Sequence, residues 1–229
     1  MTRNGSKYPT FRSALDGLIA LVLAPVCAAC RRPLDEPTRG AICAVCWSAI
    51  VPVTPLGTGS FPPAIALATA IGPYDDTLKD IIHALKYDPR PTIARQLGAC
   101  MRTAGAPVLE GADAVVPVPL HRSRERMRGF NQARALADHL ELPIVDALVR
   151  TKRTASQADL PAAARRTNVE GAFALALAPQ FVAGRVIVLV DDVSTTGATL
   201  NAAAAPLVAA GAREVRALTA ARARLRSAG

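Results

Sequence analysis

Asp191 and Asp192 stand side by side just ahead of Ser194, Thr195, Thr196, Gly197 and Thr199. These two groups of residues suit opposite chemistries. A phosphate calls for N–H and O–H donors with no fixed anion beside it, which describes Ser194 to Thr199. Paired carboxylates call for hydroxyl donors or a hydrated cation, so Asp191 and Asp192 suit a sugar diol, directly or through Mg²⁺. A ligand with both parts is a ribose 5-phosphate. A helix cap on an ordinary loop accounts for neither the second carboxylate nor the four hydroxyls around one glycine.

The flanking residues say how such a site is positioned. Val186 to Val190 form an unbroken, mostly β-branched apolar run, the pattern of a strand buried on both faces of a parallel sheet. Leu200 to Ala210 are alanine-rich and read as a helix. Strand, small-residue loop and helix start bring free N–H groups and the positive end of a helix dipole together. Ligands of open α/β sheets lie at the carboxyl ends of strands. Residues 186–200 resemble the phosphoribosyl pyrophosphate (PRPP) signature of type I phosphoribosyltransferases, which assigns PRPP to Asp191, Asp192, Ser194, Thr195, Thr196, Gly197 and Thr199.

A second strand end is expected after residues 113–119, Asp-Ala-Val-Val-Pro-Val-Pro. A proline-stiffened loop over Val118, Pro119, Leu120, His121 and Arg122 can hold its backbone N–H groups against an anion. Arg122, Arg124, Arg126 and Arg128 alternate behind it and can neutralise a pyrophosphate leaving group. Gly129-Phe130-Asn131-Gln132 then opens a helix through Leu140. Read alone, the arginine row is also what a solvated basic face looks like.

Cys27-Ala-Ala-Cys30 and Cys43-Ala-Val-Cys46 are separated by twelve residues. Two such knuckles can wrap one tetrahedral Zn²⁺ with four thiolates, and the metal would supply folding energy that the Pro- and Gly-containing loop lacks. Two disulfides are the other pairing, disfavoured in a reducing compartment. Trp47 is expected to pack under the knuckle, and Cys100 to be buried rather than reactive.

The remaining chain supplies elements. Residues 1–26 read as a tail and amphipathic helix, 27–50 as the zinc module, 51–63 as a Pro/Gly linker and 64–229 as the main domain. Ala64 to Tyr74 look like an edge strand. Leu78, Ile81, Ile82 and Leu85 mark one helix and Ile93, Leu97 and Met101 a second. Leu148 to Thr151, Phe173 to Leu177 and Val215 to Thr219 suggest further strands. Between them lies a polar, basic flap suited to closing over a ligand, with Arg150, Lys152, Gln157 and Arg165 as its candidate contacts.

The chain has 229 residues and a net charge of +9, so anionic partners are favoured: nucleotides, pyrophosphate or nucleic acid. Only four residues are lysine, so arginine carries the charge, and an Arg/Ala-rich composition weakens that argument. Residues 15–26 follow basic residues in the manner of a signal peptide, but Val26 is not the small residue that processing before Cys27 needs, and the run is too short to span a bilayer. The expectation is a cytoplasmic chain with no transmembrane segment, meeting a membrane only through a partner.

Together these pieces resemble the ComF family, a zinc ribbon joined to a type I phosphoribosyltransferase-like domain. The likeness runs from Cys27 to the C-terminus. It is carried by the paired C-x-x-C knuckles, by Val116–His121 with Arg128–Gln132, by Gln157 with Arg165–Val169 and Gly171–Phe173, and by Asp191–Thr199. Ser194 departs from the pattern, in which many relatives carry a larger residue. The resemblance implies an α/β fold, a type I phosphoribosyltransferase-like parallel sheet flanked by helices with a small N-terminal zinc ribbon, that recognises PRPP with Mg²⁺ and takes part in DNA uptake during natural transformation. No residue set names the acceptor. The readings that follow are a phosphoribosyltransferase, a single-stranded-DNA-handling protein for which PRPP is an effector, and a regulator without catalysis. In the DNA reading the arginines track phosphates and Trp47, Tyr87 and Phe130 are the stacking candidates.

Overall fold

The computed structural model describes residues 11–50, 64–88, 90–152 and 169–223. The expected linker, residues 51–63, and both chain termini lie outside these residues. Helix α1 (Phe11–Leu23) leads into the cysteine loop, which ends in the short helix α2 (Ala44–Ser48). Strand β1 (Leu67–Pro73) is followed by α3 (Asp76–Tyr87), α4 (Pro91–Ala104) and α5 (Ala106–Leu109). Then come β2 (Ala114–Pro117), α6 (Arg122–Arg128), α7 (Gln132–Ala137), β3 (Leu148–Arg150) and β4 (Phe173–Leu175). The chain closes with β5 (Val186–Ser194), α8 (Ala198–Ala209) and β6 (Glu214–Arg222).

The main sheet is parallel, in the order β1-β6-β5-β2. A single parallel bridge, Val115 to Ile144, extends it beyond β2. The chain leaves β2 outward to that bridge, whereas it leaves β5 in the other direction, to β6. Connections that diverge from adjacent strands open a crevice at their carboxyl ends, the preferred ligand position of open α/β sheets. Here the two strands are β5 and β2, the strands that carry the aspartates and the proline-stiffened loop.

The central strands are buried on both faces, and their residues alternate between two cores. Val188 and Val190 join Ile81, Ile82, Leu97 and Leu136 of α3, α4 and α7, while Ile187 and Leu189 join Leu200, Ala203 and Leu207 of α8 with Leu148 and Phe173 of β3 and β4. The helical spacings read from the sequence hold: Leu78, Ile81, Ile82 and Leu85 line the buried face of α3, and Ile93, Leu97 and Met101 that of α4. Gly98 sets how closely α4 meets α7, because a Cβ there would lie 2.5 Å from the Cβ of His139. The pair β3–β4 is antiparallel and forms a separate two-stranded sheet.

Two boundaries differ from expectation for a physical reason. β5 runs four residues past its apolar run, because its ladder to β6 continues through Asp191–Thr219, Val193–Ala221 and Ser194–Arg222. The aspartates are strand residues, not the start of a loop. The arginine row is not loop either. His121 Nδ1 accepts from the Ser123 N–H at 3.2 Å and caps a helix over Arg122–Arg128, which Gly129 ends with a left-handed φ of 84°.

Candidate functional site

Consecutive strand residues point to opposite faces, so Asp191 and Asp192 straddle the tip of β5. Asp192 follows Val188 and Val190 onto the face covered by α3 and α7. There the Lys86 ammonium, in the last turn of α3, forms an ion pair with its Oδ2, and the Gln132 side chain hydrogen-bonds to it. Gln132 Oε1 accepts from Arg128 Nη1 at 2.6 Å, so the amide of Gln132 is the end that donates to Asp192. Asp191 follows Ile187 and Leu189 onto the face of β3, where the Arg150 guanidinium senses its charge and lies 5.3 Å from the ring centre of Phe173. Asp191 Oδ1 also accepts the Asp192 N–H at 2.8 Å.

This asymmetry separates two neighbouring carboxyls. Burial pushes Asp191 well above the usual carboxylate range, and the Asp192 charge adds to it. Burial works the same way on Asp192, but the Lys86 ammonium and the hydrogen bonds from Lys86, Asp191 and Gln132 outweigh it and leave that group below its usual value. Burial lowers Lys86, and Asp192 more than reverses it, so the lysine sits above its usual value.

Behind the aspartates, Gly197 adopts a left-handed φ of 75° and starts α8 without a side-chain cap. Among the described residues, the amides of Thr195, Thr196 and Gly197 donate to no backbone carbonyl. A glycine turn with free amides at the start of a twelve-residue helix has the donor set for an anion. Ser194 differs from its neighbours: its hydroxyl is fully enclosed and has no hydrogen-bond partner among the described residues. At the end of β2, the Val118 N–H donates to Val190 O at 2.9 Å, and Asn131 Nδ2 donates to Val118 O at 3.1 Å. These bonds pin the start of the Val118–Arg122 loop against β5, with Pro119, Leu120 and His121 half-buried and Arg122 exposed at the head of α6.

The remaining candidates divide. Arg150, expected in a flap, is a buried residue of β3. Lys152 Nζ donates to Glu170 O at 3.0 Å. Gln157 and Arg165 lie outside the described residues. Lys86 and Gln132 join the site with little mark in the sequence: Gln132 stands at the end of the Arg128–Gln132 motif, and Lys86 is one of four lysines in a chain whose basic residues are mostly arginine. The signal available for Lys86 was its helical position one residue after the apolar face ends at Leu85. Two surface hollows of about 360 and 430 Å³ flank Phe130, and neither is lined by the aspartates or the glycine turn. Charges along them are paired locally, Arg134 with Asp138 and Asp146, and Arg90 with Asp88.

The four cysteine sulfurs of the N-terminal loop lie within 4.8 Å of one another. Cys27–Cys46 and Cys30–Cys43 are 3.9 and 3.7 Å apart. A tetrahedron with metal–sulfur bonds of about 2.3 Å has edges of roughly 3.8 Å, whereas a disulfide needs about 2.05 Å. The set fits a metal ion. The first knuckle is closed by a left-handed Arg31, φ 62°, whose N–H returns to Cys27 O at 2.9 Å, and the second is the first turn of α2. Burial opposes the Cys27 thiolate, but the N–H groups of Cys43, Cys30 and Ala29 outweigh it and bring the thiol down to about 7, while burial pushes Cys43 and Cys46 up. Gly40 presses the loop onto α4, where a Cβ would meet Gln96 Oε1 at 2.8 Å. Trp47 packs half-buried against the same core, and Cys100 is half-buried with its thiol pushed up by burial.

Mg²⁺ fits the aspartates less well. Asp192 already binds an ammonium, and a unit charge about 4 Å from another costs roughly 4 kcal/mol at the effective dielectric of a protein surface, more for a divalent ion.

Known proteins place this arrangement. The phosphoribosyl transferase domain model matches residues 126–227. The DNA utilization protein YhgH of Escherichia coli K12 is 34% identical over 225 residues, covering 86% of this chain and 96% of that protein. Competence protein F of Haemophilus influenzae is 36% identical over 64% of this chain and 68% of its own length. Competence protein ComFC of Bacillus subtilis is 30% identical over 60% of this chain and 56% of its own. With the parallel sheet, its switch point between β5 and β2 and the four-cysteine cluster in hand, the chain belongs to the ComF family, with a phosphoribosyl transferase domain in its C-terminal half.

Proposed function

We propose that the chain binds PRPP in the crevice between β5 and β2 and uses it in DNA utilisation in the cytoplasm, the process named in its relatives. The observation that carries the reading is the convergence, at one switch point, of an aspartate pair, a glycine turn with free amides and a pinned proline loop. In this reading Asp191 and Asp192 accept the ribose hydroxyls. Thr195, Thr196, Gly197 and Thr199 hold the 5-phosphate, and Ser194 turns its hydroxyl to it when the ligand enters. Val118–Arg122 receive the pyrophosphate, with Arg150 and Lys152 beside the site. Departure of pyrophosphate leaves positive charge on the ribose, which fixed carboxylates and donors stabilise without a covalent step. Mg²⁺ accompanies the diphosphate, and Zn²⁺ is the metal of Cys27, Cys30, Cys43 and Cys46.

A second reading takes PRPP as an effector of a single-stranded-DNA-handling protein. It is favoured by Tyr87, 63% exposed and with Arg128 5.5 Å from its ring centre. An aromatic face beside a guanidinium suits a stacked base and its phosphate. Calorimetry with PRPP tests the site, and Asp192→Asn is expected to abolish binding; unchanged affinity rejects the assignment. Pyrophosphate release across candidate acceptors, set against salt-dependent oligonucleotide binding, then separates the two readings.

A further inference from the structure

Lys86 closes off one side of the aspartate pair. Its side chain is 21% exposed and that of Asp192 only 7%, so their ion pair lies mostly out of water. Gln132, itself 4% exposed and held by Arg128, occupies a second side of the same carboxylate. We propose that Lys86 is the resident counter-charge of Asp192, so that sugar hydroxyls are held here without a divalent cation bound to the protein. This rests on the sugar-phosphate reading above and adds to it a positioning residue and a cation requirement.

The argument is one of vacant ligands. Mg²⁺ needs a near-octahedral shell of oxygens at about 2.0–2.1 Å and gives up water reluctantly. Asp192 offers it a carboxylate already engaged by an ammonium and an amide. Asp191, on the other face of the strand, has one oxygen committed to the Asp192 N–H. For a cation to take Asp192, Lys86 would have to leave, stranding a partly buried ammonium at the end of α3. A sugar hydroxyl makes no such demand. It is neutral, it donates one hydrogen, and a carboxylate has about four acceptor positions. Any Mg²⁺ at this site therefore arrives on the diphosphate of the ligand.

Ribose 5-phosphate, which has no diphosphate, separates these cases. The full chain, with its cysteine metal retained, is titrated with it by calorimetry in buffer without added Mg²⁺ and again in excess Mg²⁺. The expected result is the same affinity in both buffers. Lys86→Met is expected to bind at least about tenfold more weakly without Mg²⁺, the loss of the charge-assisted contact that holds Asp192, and to recover in Mg²⁺, while Lys86→Arg keeps Mg²⁺-free binding. Wild-type binding that requires Mg²⁺ overturns the inference and leaves the sugar-phosphate reading standing. Lys86→Met binding as wild type without Mg²⁺ overturns it equally. Failure of both ribose 5-phosphate and PRPP to bind in either buffer brings down both.

Discussion

Arg128 Nη1 donates to Gln132 Oε1 at 2.6 Å, and this bond decides which end of the Gln132 amide faces Asp192. The residues sit one turn apart, on either side of the Gly129 break between α6 and α7. A side chain of the surface arginine row thus orients a buried donor at the tip of β5. Gln132→Glu keeps the shape and replaces that donor with an acceptor. It is expected to destabilise the fold by about 1–3 kcal/mol at neutral pH, and less in acid, where the new carboxyl can protonate. Urea unfolding at both pH values checks it, and equal losses would show that the donor is unimportant.

Ser194 offers a way to divide folding from binding. Its hydroxyl is buried and unpartnered. Ser194→Ala is therefore expected to leave the fold as stable or to raise its stability by about 1 kcal/mol. If the hydroxyl serves a phosphate, the same substitution lowers PRPP affinity by about tenfold, the worth of one charge-assisted hydrogen bond. Chemical unfolding and calorimetry on one variant read both effects.

Asp191 sets a pH dependence of known sign. Its folded-state value is raised above the ordinary 3.8. The stability it contributes is fully present below the unfolded value and is lost as pH rises through the folded one. Asp191→Asn keeps the acceptor for the Asp192 N–H and does not titrate. It is expected to match the wild type in acid and to become progressively more stable than it as pH climbs above the usual carboxylate range. A gap that narrows with rising pH would reverse the assignment. Asp192, lowered by Lys86, has the opposite sense: its contribution is present above the ordinary value and lost only in stronger acid.

The cysteine cluster predicts one tightly held metal per chain. Structural zinc binds finger peptides with about 10–16 kcal/mol at neutral pH, so chelation is expected to lower the melting temperature by many degrees. Cys30→Ser should do the same, because the exposed Cys30 contributes a ligand and little core. Metal analysis alongside thermal melts checks both, and a metal-free protein that melts unchanged would refute the site.

The parts of the fold read most directly from sequence were those whose signal is local. The apolar runs of β2 and β5, the helical spacing of α3 and α4 and the cysteine knuckles each depend on neighbours within a few turns. The end of β5 was not legible in this way. Asp191, Asp192 and Ser194 are poor strand residues by propensity, and they are held as strand by the ladder to β6, a partner about 28 residues away. The arginine row was misread because its helix depends on two local caps, His121 and Gly129, in an otherwise uniform polar stretch. The helical position of Lys86 beside Leu85 places it at the edge of a buried face, but nothing in a sequence brings the end of α3 to a carboxylate 106 positions later. The ion pair exists only once α3 is laid across the same face of the sheet as Asp192.

Cys27 and Cys46 belong to the same buried cluster as Ile81 and Leu85 of α3 and Leu97 of α4. The cysteine loop is therefore a wall of the main core and not a pendant ornament. If the cluster holds a metal, oxidation that expelled it would loosen the support on which α3 rests, and the residue after Leu85 is Lys86. On the proposed PRPP reading, oxidant exposure would then bear on sugar recognition mechanically, with no electron needing to travel between the two places.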